Sequence, residues 1–198
     1  IKKGDNLVDI VSDIVCEVGE KDVRLRDKDV VAITESLLAR SQGNYATIED
    51  IAKDFAYKFE ADEVAILFPI LSRNRFSILL KAFALSGKKL HICLSYPSDE
   101  VGNLVMDEMD LFNSDVNAYT DVLSLEEFRE VAGDYKHLFT DMAYPEFYKE
   151  LAENSEIHFL NNPVDALKFT DNVLVASIHT RDIVKRQLVE AGAKKVLK

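Results

Sequence analysis

EVAILFPILSRNRFSILL, residues 63–80, decides the fold. Its apolar run, residues 64–68, reads as a strand that stops at Pro69. Ser72 then opens an amphipathic helix expected over 72–86, with Gly87 as its C-terminal stop. A second apolar run, KLHICLS at 89–95, follows at once. Strand, helix and strand in this order make a crossover unit, which favours an α/β layered domain with parallel pairing. The first turn of the expected helix holds Arg73, Asn74 and Arg75. A helix start already carries positive partial charge, so two arginines there are out of place unless an anion joins them. Free N–H groups, a hydroxyl and two guanidinium groups suit such an anion. The bland alternative is that both arginines pair with surface carboxylates.

The same grammar extends in both directions. Towards the N-terminus, Asp5 caps a helix expected over 6–18, whose face is Leu7, Ile10, Val11, Ile14, Val15 and Val18, with Gly19 as stop. A strand is expected at 30–34, then a short polar segment, TESLLARSQGNY, then a helix over 47–59. Towards the C-terminus the loop YPSDEVGN leads into an irregular, acidic stretch at 103–123 with local helix near 104–109. Helices are expected at 125–131 and 146–152, and a strand at 156–160 that runs into Asn161, Asn162, Pro163 and a short helix. A strand at 173–178 runs into HTR, a helix over 181–191 and Gly192. The expected fold is therefore α/β, a sheet with helices on its faces, with mixed α+β as the alternative. One domain over 1–198 is expected, or the N-terminal part of a longer chain, since AKKVLK at the end reads as the start of a strand. Residues 96–145 are expected to be an insertion, a lid or a dimer arm.

Composition narrows the function. The 198 residues carry a formal net charge of −11, which argues against non-specific binding to nucleic acid or anionic membranes. No apolar run reaches the roughly 20 residues of a membrane helix, and no signal-peptide pattern is present. Cys16 and Cys93 lie in apolar segments and read as small core residues rather than disulfide partners or nucleophiles, so a cytoplasmic location is expected.

Ligands of open α/β sheets gather at the carboxyl ends of the strands. Four such ends are polar here: residues 34–43, with Arg40, Ser41, Gln42 and Gly43; Ser72 to Arg75; Ser95 through Asp99 and Glu100 to Asn103; and Ser177 through His179, Thr180 and Arg181. Together they offer hydroxyls, guanidiniums, amides and carboxylates, a set that serves phosphate binding with a divalent ion. Each has a second reading. Asp99 and Glu100 also fit helix capping. Arg40 also fits a solvated surface position. His179 fits a structural histidine as well as a catalytic one, and His91, inside a strand, fits a structural one better. His137 and His158 carry no pattern. P-loop, dinucleotide, nucleophile-elbow and zinc-protease signatures are absent.

IKKGDNLVDIV at 1–11 and DKDVVAITESLLARSQGNY at 27–45 resemble the opening of the coenzyme F420:L-glutamate ligase family. PILSRNRFS and LSYPSDEVGN resemble a divergent branch of it. The resemblance implies an enzyme, a gamma-glutamyl ligase that joins the amino group of L-glutamate to a carboxylate on a cofactor precursor. It implies GTP as co-substrate, Mn or Mg as the divalent metal, and a homodimer. By residue, Arg40 stands where these ligases carry lysine and Gln42 where they carry glutamate. Asp99, with Glu100 beside it, takes the metal role; Ser177, Thr180 and Arg181 stand in a segment whose aspartate is missing here. On this reading Arg40, Ser41, Gln42, Gly43, Ser72, Arg73, Asn74, Arg75, Ser95, Thr180 and Arg181 bind nucleotide or substrate, and His179 positions substrate or moves a proton. The alternative is a non-catalytic protein of the same fold that binds a nucleotide or phosphorylated metabolite. No nucleic-acid or membrane partner is expected.

Overall fold

The structure, a computed structural model, describes residues 1–21 and 23–198. The chain forms two compact units, residues 1–47 and 48–198.

The first unit holds two helices, α1 (Leu7–Lys21) and α2 (Glu35–Gln42). Helix α1 does not stop at Gly19. A Cβ at Gly19 would lie 2.8 Å from Leu25 Cδ1, so this glycine serves close packing rather than termination. The strand expected at 30–34 does not form: Val30 is 88% exposed and the segment joins no ladder. Among the described residues the unit holds no strand to pair with it, and an isolated strand leaves its backbone polar groups to water. The polar segment that follows is helical instead. Gly43 ends α2 in the left-handed conformation at φ 71°, its N–H bonded to Arg40 O. Cys16 is exposed, against the expectation of a core residue.

The second unit is a six-stranded sheet with helices on both faces, as expected. Its strands are β1 (Glu63–Leu67), β2 (Lys89–Leu94), β3 (Leu123–Ser124), β4 (Ser155–Phe159), β5 (Asn172–Val175) and β6 (Lys195–Leu197), in the order β3-β4-β2-β1-β5-β6. Only β3 is antiparallel. The helices are α3 (Ile48–Lys58), α4 (Phe76–Ala84), α5 (Glu108–Phe112), α6 (Leu125–Ala132), α7 (Tyr144–Leu151) and α8 (Arg181–Glu190), with a 3-10 helix at Pro163–Lys168. Strand periodicity sorts the core into two layers. Val64, Ile66, Leu90, Ile92, Ile157 and Phe159 pack with apolar residues of α3, α4, α6 and α7. Ala65, Leu67, Cys93, Val173 and Val175 pack with Val184 and Leu188 of α8 and Ala166. Burying each of these large side chains contributes roughly 1.5–3 kcal/mol.

Local chemistry sets the boundaries. Helix α4 begins at Phe76, later than Ser72, because residues 72–75 form a turn in which Ser72 Oγ accepts from Arg75 N at 2.9 Å. Strand β5 ends at Val175, short of the expected 178. The irregular stretch holds α5, β3 and α6, plus a single bridge between Ser98 and Leu104. No helix among the described residues is long and apolar enough to cross a membrane.

The chain runs β1, β2, β4 towards one side of the sheet and β5, β6 towards the other. The reversal lies between β1 and β5. In open α/β sheets that point, at the carboxyl ends of the strands, is where ligands bind.

Candidate functional site at the strand ends

The exit loop of β2 ties its neighbours together. Asp99 is buried, and its carboxylate accepts from Leu71 N (2.9 Å), Val101 N (3.0 Å), Asn103 N (3.0 Å) and Asn103 Nδ2 (2.7 Å). It thus holds the β1 exit loop against the β2 exit loop. Asn161, after β4, accepts from Tyr96 N at 3.2 Å and donates to Tyr96 O at 2.6 Å. The Tyr96–Pro97 peptide is cis. Glu100 reaches further, to the loop after β5. Its Oε1 accepts from Ile178 N and from His179 N at 3.2 Å, and its Oε2 from His179 N, Thr180 N and Thr180 Oγ1 at 3.2, 3.2 and 3.0 Å.

Because β1 lies between β2 and β5, Glu100 spans the reversal point of the sheet. Three successive N–H groups at the start of α8 make the kind of cradle that holds an anion, and the chain fills it with its own carboxylate. Burial pushes the Glu100 carboxyl up, but donation from Ile178, His179 and Thr180 outweighs this and holds it below the usual carboxylate range. A carboxyl lowered on folding stabilises the native state above its unfolded pKa, near pH 4.5, and loses that contribution as the pH falls through the lower folded value. Glu100→Gln should therefore lower the melting temperature by roughly 3–6 °C at pH 7. The gap from wild type should shrink as the pH falls below 4.5 and close once the pH has passed the lowered folded value. A gap that is constant with pH in thermal melts would show that the charge is not what holds the loop.

The arginine turn is anchored in its backbone and free in its side chains. Leu71 N donates to Asp99, Ser72 N donates to Tyr148 Oη at 3.0 Å, and Ser77 Oγ donates to Arg73 O. Arg73, Asn74 and Arg75 are exposed, and neither guanidinium has a carboxylate within ion-pair distance among the described residues. The surface-pair reading of these arginines is thus not met. Tyr148, fully buried, is the anchor that sequence reasoning missed. Burial raises its hydroxyl pKa, so it stays protonated.

Ser95 is half-buried after β2. His179 and Arg181 are exposed, Arg181 as the first residue of α8. Arg40, Ser41, Gln42 and Gly43 lie in the first unit, at the end of α2, where Ser41 O accepts from Gly4 N at 2.9 Å and Gln42 Oε1 accepts from Asn44 Nδ2.

A second polar cluster lies on the strands themselves, on one face of β1, β2 and β4. His91 on β2 meets His158 and Glu156 on β4, and Glu63 on β1. Burial, then the neighbouring His91, push the His158 imidazole down to about 4, so it is neutral near pH 7.

Residues 1–173 match the model of the F420-0:gamma-glutamyl ligase family. The chain belongs to that family. No curated protein and no solved structure matches it. Membership in the F420-0:gamma-glutamyl ligase family points to ligase chemistry, and with it to nucleotide and metal use. Asp99 and Glu100 do not suit the metal as placed. A carboxylate offers about four lone-pair sites, and N–H and O–H donors take those of both residues. They organise the strand ends of this ligase-family chain rather than face a cation.

Proposed function

We propose that this chain provides the anion-binding face of a gamma-glutamyl ligase that joins the amino group of L-glutamate to a carboxylate on a cofactor precursor, at the expense of GTP or ATP. The observation that carries the reading is the family match over residues 1–173, joined to Arg73 and Arg75, which no carboxylate among the described residues pairs, beside the reversal point of the sheet. A carboxylate is a poor acyl donor until one of its oxygens takes a phosphoryl group from the nucleotide. The amine then attacks the acyl carbon and inorganic phosphate leaves. Such a site must gather several anions, and guanidinium forks on a fixed backbone suit that task. Arg73 and Arg75 hold nucleotide phosphate or substrate carboxylate, with Ser72, Asn74 and Ser95 beside them. Thr180 and Arg181 form the opposite wall, and His179 positions substrate or transfers a proton. Arg40, Ser41, Gln42 and Gly43 serve nucleotide or precursor. The reading includes a cytoplasmic homodimer that uses Mn or Mg, held by groups other than Asp99 and Glu100.

Arg73→Ala should weaken GTP binding about 10- to 100-fold by calorimetry, the worth of one or two charge-assisted bonds. Unchanged affinity would remove Arg73 from the site. Product formation itself is read by mass spectrometry of the precursor after incubation with GTP and L-glutamate.

A second reading is favoured by the saturation of Asp99 and Glu100. A fold that binds a nucleotide or phosphorylated metabolite without turning it over needs no metal carboxylates. Stoichiometric binding with no release of phosphate separates it from the ligase.

A further inference from the structure

The histidine cluster on the face of β2 and β4 has the geometry of a metal centre. His91 and Glu156 are register partners on β2 and β4, and His158 lies two residues along from Glu156, so all three side chains share one sheet face. His91 Nδ1 is 3.1 Å from His158 Nε2 and 3.4 Å from Glu156 Oε2, and His158 Nε2 is 3.7 Å from the same oxygen. Ligands about 2.0–2.1 Å from a tetrahedral zinc ion are about 3.3–3.4 Å apart, which is the mean spacing here.

Proton placement argues the same way. His91 Nε2 lies 2.9 Å from Glu63 Oε2. An ionised carboxylate can only accept, so Nε2 carries a hydrogen, and in the neutral imidazole Nδ1 then presents a bare lone pair. Three potential ligand atoms then converge, and a single hydrogen, if carried on His158 Nε2, satisfies only one of their contacts. A dication satisfies all of them. The surroundings match those of a metal site. The Glu63–His91 pair has the form of a carboxylate that orients a ligating imidazole. Lys89 Nζ holds Glu156 Oε1 at 3.0 Å, which leaves Oε2 turned to the imidazoles. Phe169 stacks on His158 at 3.8 Å and on His91 at 5.3 Å, giving the rings an apolar wall. His91 is 3% exposed, whereas the Glu156 side chain is about half exposed, so solvent reaches the cluster beside the carboxylate.

We propose that His91, His158 and Glu156 bind one zinc-class divalent ion, with Glu63 as the positioning partner of His91 and a fourth position open to water. Two imidazoles and one carboxylate favour zinc and its neighbours over magnesium or calcium. The site stands within the ladder between β2 and β4, on side chains of the strands themselves rather than on the exit loops assigned to ligation, and it does not depend on that assignment. Its effect is to clamp adjacent central strands together.

The test uses the whole chain in a Cys16→Ser background, which removes the exposed thiol as a competing ligand, after dialysis against chelator. Zn²⁺ should bind one per chain by calorimetry and raise the melting temperature. Mg²⁺ should bind at least 100-fold more weakly, and Co²⁺ should give the visible bands of a tetrahedral centre. Glu156→Gln and His158→Gln should each weaken Zn²⁺ at least tenfold. Glu63→Gln should weaken it about tenfold, as loss of an orienting carboxylate does. Zn²⁺ that leaves the melting temperature unchanged, or binding that survives Glu156→Gln, overturns the proposal. If His158→Gln does not fold, the half-exposed Glu156 still decides the matter.

Discussion

Asp99→Ala is expected to lower the stability of the second unit by about 3 kcal/mol in urea unfolding. The substitution removes the acceptor of three backbone N–H groups and one side-chain amide, and Leu71 N is buried. Val101 and Asn103 are less enclosed, so water can replace part of what they lose; Leu71 N bears most of the desolvation cost. Asp99→Asn keeps one carbonyl acceptor and should cost about half as much. Amide hydrogen exchange at Leu71, Val101 and Asn103 should quicken together in the alanine variant. If instead stability changes by less than about 0.5 kcal/mol while metal-dependent activity disappears, Asp99 is a ligand holder and the loop is held by other bonds.

Phe159→Ala should cost about 3–5 kcal/mol, the largest loss expected from a core truncation in this chain. Phe159 is fully buried on β4, stacked on Phe128 of α6 with centroids 3.6 Å apart, and it meets Tyr96 edge-on at 6.5 Å. Deleting the ring opens a cavity between sheet and helix and removes the surface against which the start of the β2 exit loop packs. The melting temperature should fall by about 6–20 °C for a unit of this size. A loss under 1 kcal/mol would mean that α6 collapses onto β4 without strain, and that the strand-end loops owe little to this layer.

The central architecture was legible because its signals are local. Pro69 follows the end of a strand and Gly87 follows the end of a helix, and the apolar runs of β1, β2, β4 and β5 are short, as buried parallel strands are. The missing strand at 30–34 shows the limit of such signals. VVAI satisfies a strand pattern, but a strand also needs a partner, which no pattern within the segment supplies. Helix α4 starts late for a similar reason: Leu71 and Ser72 give their N–H groups to Asp99 and Tyr148, 28 and 76 residues away. At the candidate site the exposed arginine turn was readable. The fate of Glu100 was not, since its acceptor role is set by residues 78–80 positions further on. The histidine cluster left a faint trace. KLHICL and EIHFL share a charged residue, an apolar residue and a histidine, and period-two alternation puts the charge and the imidazole on one face. The trace becomes a site only when β2 and β4 are known to be neighbours.

Ser124 closes one side of the sheet in a way that bears on self-association. It is the last residue of β3 and also the N-cap of α6, where its Oγ accepts from Glu127 N at 3.2 Å and its own N–H donates to Glu127 Oε2 at 2.7 Å. A residue engaged in that reciprocal cap cannot extend its strand, so the edge is held to two residues. Long bare edges are templates on which other chains add strands and polymerise. By turning the backbone into a helix at once, a single serine–glutamate pair leaves a foreign strand almost nothing to dock on. The concentrated protein should resist fibril growth from this side of its sheet.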